Sequence, residues 1–152
     1  MVVIPRHDPS FKGYTHIHSL SDATKLTAGR TFRLLWILDS SDRLRFDGLC
    51  RLAYARANLT FAVDELHEYC PNSFASIGKY FKKLCLHGRH ANIDVFGISQ
   101  RPANLHKDFL SQAARIHVFK LTYPGDLKAL KETVPGVDQV KNFKVGQHLT
   151  FP

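Results

Sequence analysis

Asn58-Leu-Thr-Phe-Ala-Val-Asp-Glu65 is a short apolar run that stops at two adjacent carboxylates. Its length and its Phe and Val content read as a buried strand. Downstream, Ile93-Asp-Val-Phe-Gly-Ile-Ser99 repeats the pattern and runs into Gln100-Arg101-Pro102. Upstream, Val2-Val3-Ile4 is halted by Pro5, and Thr31-Phe-Arg-Leu-Leu-Trp-Ile-Leu38 precedes the turn and cap Asp39-Ser-Ser-Asp42. Ile116-His-Val-Phe-Lys-Leu121 and residues 147–151 supply two more strands. Helical spacing fills the gaps. Leu44, Leu49, Leu52 and Ala53, with Phe46 and Cys50 beside them, mark a helix over 43–57. Ile77, Tyr80, Phe81, Leu84 and Cys85 mark another over 76–87. Shorter helices are expected at 105–114 and from a capping Asp126 to Glu132. Residues 6–30 read as loop, with one helical turn near 21–26. Apolar strands alternating with amphipathic helices predict an α/β sandwich with a largely parallel sheet.

The chain has 152 residues, about one domain's worth. Hydrophobic residues make up 44%, enough for a core and too many for a disordered chain. No apolar run approaches the roughly 20 residues that span a bilayer, and the polar start MVVIPRHDPS is no signal peptide. Three Cys suit a reducing compartment better than a disulfide scaffold. The expected setting is cytoplasmic. Against 13 Asp+Glu stand 21 Lys+Arg, a net charge of +8. That excess invites an anionic partner, with nucleic acid first.

Ligands in parallel sheets bind beyond the carboxyl ends of the strands. Asp64-Glu65 and Gln100-Arg101 lie at two such ends. Adjacent carboxylates there are costly unless a cation compensates them, and Mg²⁺, a hard ion, suits carboxylate and water oxygens. One carboxylate would hold the metal shell while its neighbour orients an attacking water. Gln100 at a neighbouring tip would sense a phosphate or place that water. Arg89 and Arg101 flank the same region and would neutralise phosphate charge. A solvated helix N-terminus accounts for the Asp-Glu pair equally well.

The run 59–65 resembles a Walker B motif. With Leu86-His-Gly-Arg-His-Ala-Asn-Ile-Asp-Val-Phe-Gly-Ile-Ser-Gln-Arg-Pro102 and Ser111-Gln-Ala-Ala-Arg-Ile-His-Val-Phe-Lys-Leu121, it resembles the FtsK/HerA superfamily of P-loop ATPases. That group includes DNA translocases, phage packaging motors and zonular occludens toxin-like assembly proteins. The likeness covers about residues 58–130 well and 1–57 more loosely. It implies a three-layer α/β fold with a mainly parallel sheet, a RecA-like P-loop NTPase core. It also implies ATP and Mg²⁺ as ligands, DNA as partner and a ring-shaped homo-oligomer. Asp64 would support the Mg²⁺ shell, Glu65 would be the catalytic carboxylate and Gln100 the polar sensor. Arg89 or Arg101 would be an arginine finger.

The 152 residues contain no Gly-x4-Gly-Lys-Ser/Thr, the loop whose N–H groups cradle phosphates. Ser73-Phe-Ala-Ser-Ile-Gly-Lys-Tyr80 lacks the first Gly and the final Ser/Thr. The expectation is therefore one partial domain, 1–152, without its first βα unit and inactive alone. Its missing partner would be an N-terminal P-loop segment. The parent would couple ATP hydrolysis to DNA movement, in the host cytoplasm if phage-encoded. The alternative is a degenerate, non-hydrolysing nucleic-acid-binding or virion-assembly module. Lys79, Lys82 and Lys83 share a helix face that would follow a phosphate backbone, or would simply be solvated. A zinc site from His67, Cys70, Cys85, His87 and His90 matches no standard finger spacing.

Overall fold

Five short strands pair side by side and all run the same way: β1 (Val2–Ile4), β2 (Thr15–Ile17), β3 (Leu34–Ile37), β4 (Leu59–Val63) and β5 (Ile93–Gly97). Their order across the sheet is β2-β3-β1-β4-β5. The structure is a computed structural model and describes residues 1–4, 10–39, 41–73 and 77–152. Leu34, Leu35 and Trp36 of β3 are buried in succession, so both faces of the sheet are covered there.

The links are helical. α1 (Leu20–Thr27) joins β2 to β3, and α2 (Arg43–Arg56) joins β3 to β4. The short α3 (Leu66–Tyr69) and then α4 (Lys79–His87) lead to β5. The crossovers through α1, α2 and α4 all advance the same way across the sheet. The right-handed rule therefore puts these helices on one face, where α1 packs on α2 and α2 on α4. Phe46 of α2 anchors the packing. Its ring lies 4.1 Å from that of Tyr69 and 5.0 Å from that of Phe81, centroid to centroid.

α4 takes its N-terminal cap from another helix. Gly78, at the cap position, offers no side chain, and Asp47 of α2 fills the role. One Asp47 carboxylate oxygen accepts the N–H groups of Tyr80 at 2.8 Å and Phe81 at 3.0 Å. A Cβ at Gly78 would run into that carboxylate, so glycine is required by close approach.

A second, smaller unit follows β5. It contains α5 (Lys107–Ser111), β6 (Ile116–Phe119), α6 (Pro124–Leu130) and β7 (His148–Phe151). β6 and β7 pair antiparallel in a sheet of their own, with Val118 opposite Leu149. Val118, Leu127, Leu130, Val134, Val137 and Val140 form a separate core, and Leu110 touches both cores.

The expected α/β fold with a mainly parallel sheet is the fold found. Three local readings change. Residues 15–27 are not loop: they hold β2 and the whole of α1, whose Ser19 caps Asp22 N–H at 3.1 Å. The last strand leaves the parallel sheet and pairs antiparallel with β6. The helix expected from residue 76 begins at Lys79, and Ser76 itself lies outside the described residues. Among the described residues no helix is long and apolar enough to cross a membrane.

The shared cap gives a stability test. Asp47→Ala should cost about 1–2 kcal/mol in urea unfolding, because two α4 N–H groups lose their acceptor. Asp47→Asn keeps an oxygen there and should cost less. Equal stability of the Ala variant and the parent would refute this capping role.

Candidate site at the carboxyl ends of the strands

The β4–β5 register brings the site together. Val63 stands opposite Gly97, and the ladder continues past the strands. Ile98 N–H donates to Val63 O at 2.9 Å, and Leu66 N–H donates to Ile98 O at 2.7 Å. The two carboxyl ends are therefore locked in step. Asp64 is tied to β1 through its N–H, which donates to Val3 O at 3.0 Å. The chain then turns sharply. Glu65 sits in the left-handed region at φ 48°, and the Asp64 carboxylate accepts its N–H at 2.9 Å. Such a backbone costs a non-glycine residue about 1 kcal/mol or more. The surrounding bonds hold it in place.

Gln100, expected at the tip of a neighbouring strand, reaches Glu65 itself: its Nε2 donates to Glu65 Oε1 at 2.8 Å. The other oxygen, Oε2, is buried and accepts no hydrogen bond. Its neighbour is His67 Nδ1, at 3.5 Å. The same Nδ1 lies 3.1 Å from Ser99 Oγ, which in turn accepts Arg101 N–H at 3.1 Å. His67 and Ser99 were not singled out for this cluster from sequence. The available signal was proximity, since each lies within two residues of a motif end. The cluster is no serine-hydrolase triad. Both Ser99 and Glu65 face Nδ1, so the ring does not stand between them as a proton relay must.

Asp64 and Glu65 offer hard oxygen donors, and Oε2 of Glu65 accepts no hydrogen bond, with His67 Nδ1 3.5 Å away. That fits Mg²⁺ held largely through water and a ligand's phosphates. Among the described residues no three His, Cys, Asp or Glu side chains group as a metal cage. The zinc alternative fails on the same ground. His67 is engaged with Glu65 and Ser99. Burial pushes the Cys70 thiol up to about 11 and the Cys85 thiol higher still.

The arginines part company. Arg89 lies in the 3-10 turn Gly88–Ala91 before β5, at the amino end of the strand. Gln100 lies past the other end, and a strand of this kind rises about 3.3 Å per residue. The structure does not bring Arg89 to Glu65 of its own chain, contrary to the expectation that it flanks the same region. Arg101 stays near but is committed elsewhere. Its Nε is 3.3 Å from Asp126 Oδ2, and its guanidinium lies 4.9 Å from the Tyr123 ring centroid. Asp126 does not cap α6, as its position suggested; Tyr123 occupies the cap without a side-chain bond. Instead Asp126 is buried, with Oδ1 accepting Ala103 N–H at 2.9 Å.

Lys79, Lys82 and Lys83 all fall on α4. Lys83 is exposed with its ammonium 4.2 Å from the Tyr54 ring centroid, and Lys79 sits 5.7 Å from that of Tyr80. Lys82 is half-buried beside Cys70, Cys85 and Phe109. The three are not one uniformly solvated row.

No protein-family model matches the chain, and no curated protein matches it by sequence. Solved structures do match by shape. The genome-packaging NTPase B204 from Sulfolobus turreted icosahedral virus 2, in complex with ATP-gammaS, superposes with a TM-score of 0.81 at 17% identity, over 99% of this chain and 76% of that one. The same NTPase with AMPPCP gives 0.79 at 15% identity, over 99% and 76%. B204, described as the DNA-packaging ATPase from Sulfolobus turreted icosahedral virus, gives 0.74 at 17%, over 98% and 75%. At such identities the likeness establishes the fold: this chain has the architecture of a viral packaging NTPase.

The buried thiols provide a check on the site. At about pH 8 the folded protein should resist Ellman's reagent and the denatured protein should react fully, since only thiolate attacks. Stability should then fall as pH rises from about 8.5 toward 11, because the unfolded chain sheds thiol protons that the folded one keeps. Ready native labelling of Cys70 at pH 8 would contradict this reading.

Proposed function

We propose that the chain is the distal, hydrolytic part of an ATP-driven DNA-packaging motor, with Asp64-Glu65 as its Walker B-like pair. The observation that carries it is the 2.8 Å bond from Gln100 to Glu65 across two in-register strand ends, within the fold of a packaging NTPase. In this reading Glu65 accepts the proton of the attacking water through Oε2, the oxygen that accepts no hydrogen bond and faces His67 Nδ1. Gln100 orients Glu65 through Oε1. Asp64 supports the water shell of Mg²⁺, which when bound offsets phosphate charge.

The phosphate-binding loop would come from a segment outside these 152 residues. β5 is an edge strand of the parallel sheet, and Phe96 on its face and Ile98 just past its end are each 59% exposed. An apolar strand edge of this kind is normally covered. A strand carrying the loop and docked there would stand beside Gln100 and Glu65. Of the two arginines considered for a finger, Arg101 is tied within its own chain, which leaves exposed Arg89 for a neighbour in a ring. DNA would meet the basic surface that includes Lys79, Lys82 and Lys83. Such a motor would work in the cytoplasm, that of the host if phage-encoded.

A second reading, a non-hydrolysing DNA-binding or assembly module with the same fold, is favoured by one fact: the 152 residues hold no Gly-x4-Gly-Lys-Ser/Thr. Hydrolysis separates the two. The 152-residue chain alone should not exceed its Glu65→Gln variant. Joined to a phosphate-binding βα unit it should turn over ATP, and Glu65→Gln should then reduce the rate about a hundredfold or more. Turnover indifferent to Glu65→Gln would sink the hydrolytic reading. DNA affinity should fall steeply with salt, and Gln at Lys79, Lys82 and Lys83 should each lower the salt slope by roughly 1. An unchanged slope would exclude this surface.

A further inference from the structure

We propose that Asp126 is a positioning residue for Gln100, setting the Glu65–Gln100 pair from within the second unit of the fold. Its importance for catalysis rests on the hydrolytic reading above; its geometric action does not.

Asp126 is 1% exposed. A carboxylate buried that deeply is costly unless cations and donors face it. Its carboxylate meets one segment, residues 101–103: Ala103 N–H on Oδ1, and Arg101 Nε beside Oδ2. Its own helix gains no cap from it. The charge is therefore spent on holding the loop after β5.

That loop carries Gln100 between fixed points. Ahead of it, Ser99 Oγ contacts His67 and accepts Arg101 N–H. Behind it, the Arg101 side chain is held between Asp126 and the Tyr123 ring. Ala103 is held from both sides, its N–H by Asp126 and its O by Asn72 Nδ2 at 2.7 Å. Gln100 itself is exposed, and among the described residues its side chain bonds to Glu65. Free of these anchors, an exposed glutamine would sample several rotamers and lose that bond to water.

Asp126 in turn sits on a rigid support. Leu127 and Leu130, next to it on α6, are buried in the core shared with β6 and β7. A shift of α6 moves Asp126, and with it the backbone at 101–103 and the reach of Gln100. The second unit thereby acts on Glu65 without touching it.

The test is nuclear Overhauser contact between the Gln100 side-chain amide protons and the Glu65 γ-methylene protons in the 152-residue chain. Asp126→Asn keeps an acceptor for Ala103 but opposes Arg101 with an amide; the contact should be lost while the methyl signals of Val134 and Val140 keep their positions. Arg101→Gln, at a half-exposed site that threatens folding less, should weaken the same contact. Retention of the contact in both variants overturns the proposal; so does retention in Arg101→Gln if Asp126→Asn does not fold. A purely structural role would lower the melting temperature and leave the contact in place. In a hydrolysing assembly, Asp126→Asn should lower kcat with KM for ATP unchanged, and should add nothing to Gln100→Ala. Additive losses overturn the coupling to Gln100. If the hydrolytic reading itself is wrong, Glu65→Gln leaves turnover unaffected while the Overhauser result still stands.

Discussion

The in-register pairing of β4 with β5 is the constraint on which the site depends. Parallel strands bring like ends together, so one choice of register decides which residues meet beyond them. Val63 opposite Gly97 puts Asp64-Glu65 level with Ser99-Gln100. A slip of one residue would turn the side chains of β4 to the wrong face, and Phe61 and Val63, both fully buried, forbid it. The left-handed turn at Glu65 then depends on the same ladder, because Leu66 N–H closes it against Ile98 O. Core packing and site geometry are thus one problem. Apolar strand residues set the register, and the register sets the carboxylate.

Buried carboxylate oxygens without a hydrogen bond gather at this end of the molecule. The two buried side-chain oxygens without a hydrogen bond among the described residues belong to Glu65 and Asp126. They flank one short loop, residues 99–103. Elsewhere the polar groups of this chain follow ordinary rules, with caps at Ser19 and Asp42 and the borrowed cap at Asp47. Local rules broken in one place and kept in others mark where a fold gives up stability for a task.

Much of this was legible in the sequence. β4 and β5 were visible because strands in a parallel sheet carry continuous apolar runs. That Glu65 and Gln100 lie at the ends of neighbouring strands followed from the apolar runs; the bond between them did not. β2 was hidden for the converse reason: it is an edge strand, with Thr15 and His16 exposed and Ile17 alone buried. α1 was understated although Ser19 and Asp22 spell its cap, because few apolar residues follow them. Asp126 was misread by a sound local rule. An acidic residue in a first turn after Pro-Gly caps helices often enough, but here the contacts that claim it come from Arg101 and Ala103. No spacing rule reports a partner more than twenty residues away. Arg89 was misplaced because nearness in sequence to β5 does not say which end of β5.

The position of β1 has a consequence for how the chain reaches this fold. β1 lies in the middle of the sheet, with Val2 paired to Leu35 on one side and Ala62 on the other. Both strand partners lie well downstream of it in the chain. Its neighbours must come together around it, a long loop closure on each flank. Folding dominated by such distant pairings is slow. The middle of the sheet is thus held by distant pairings, Val2 to Leu35 and to Ala62.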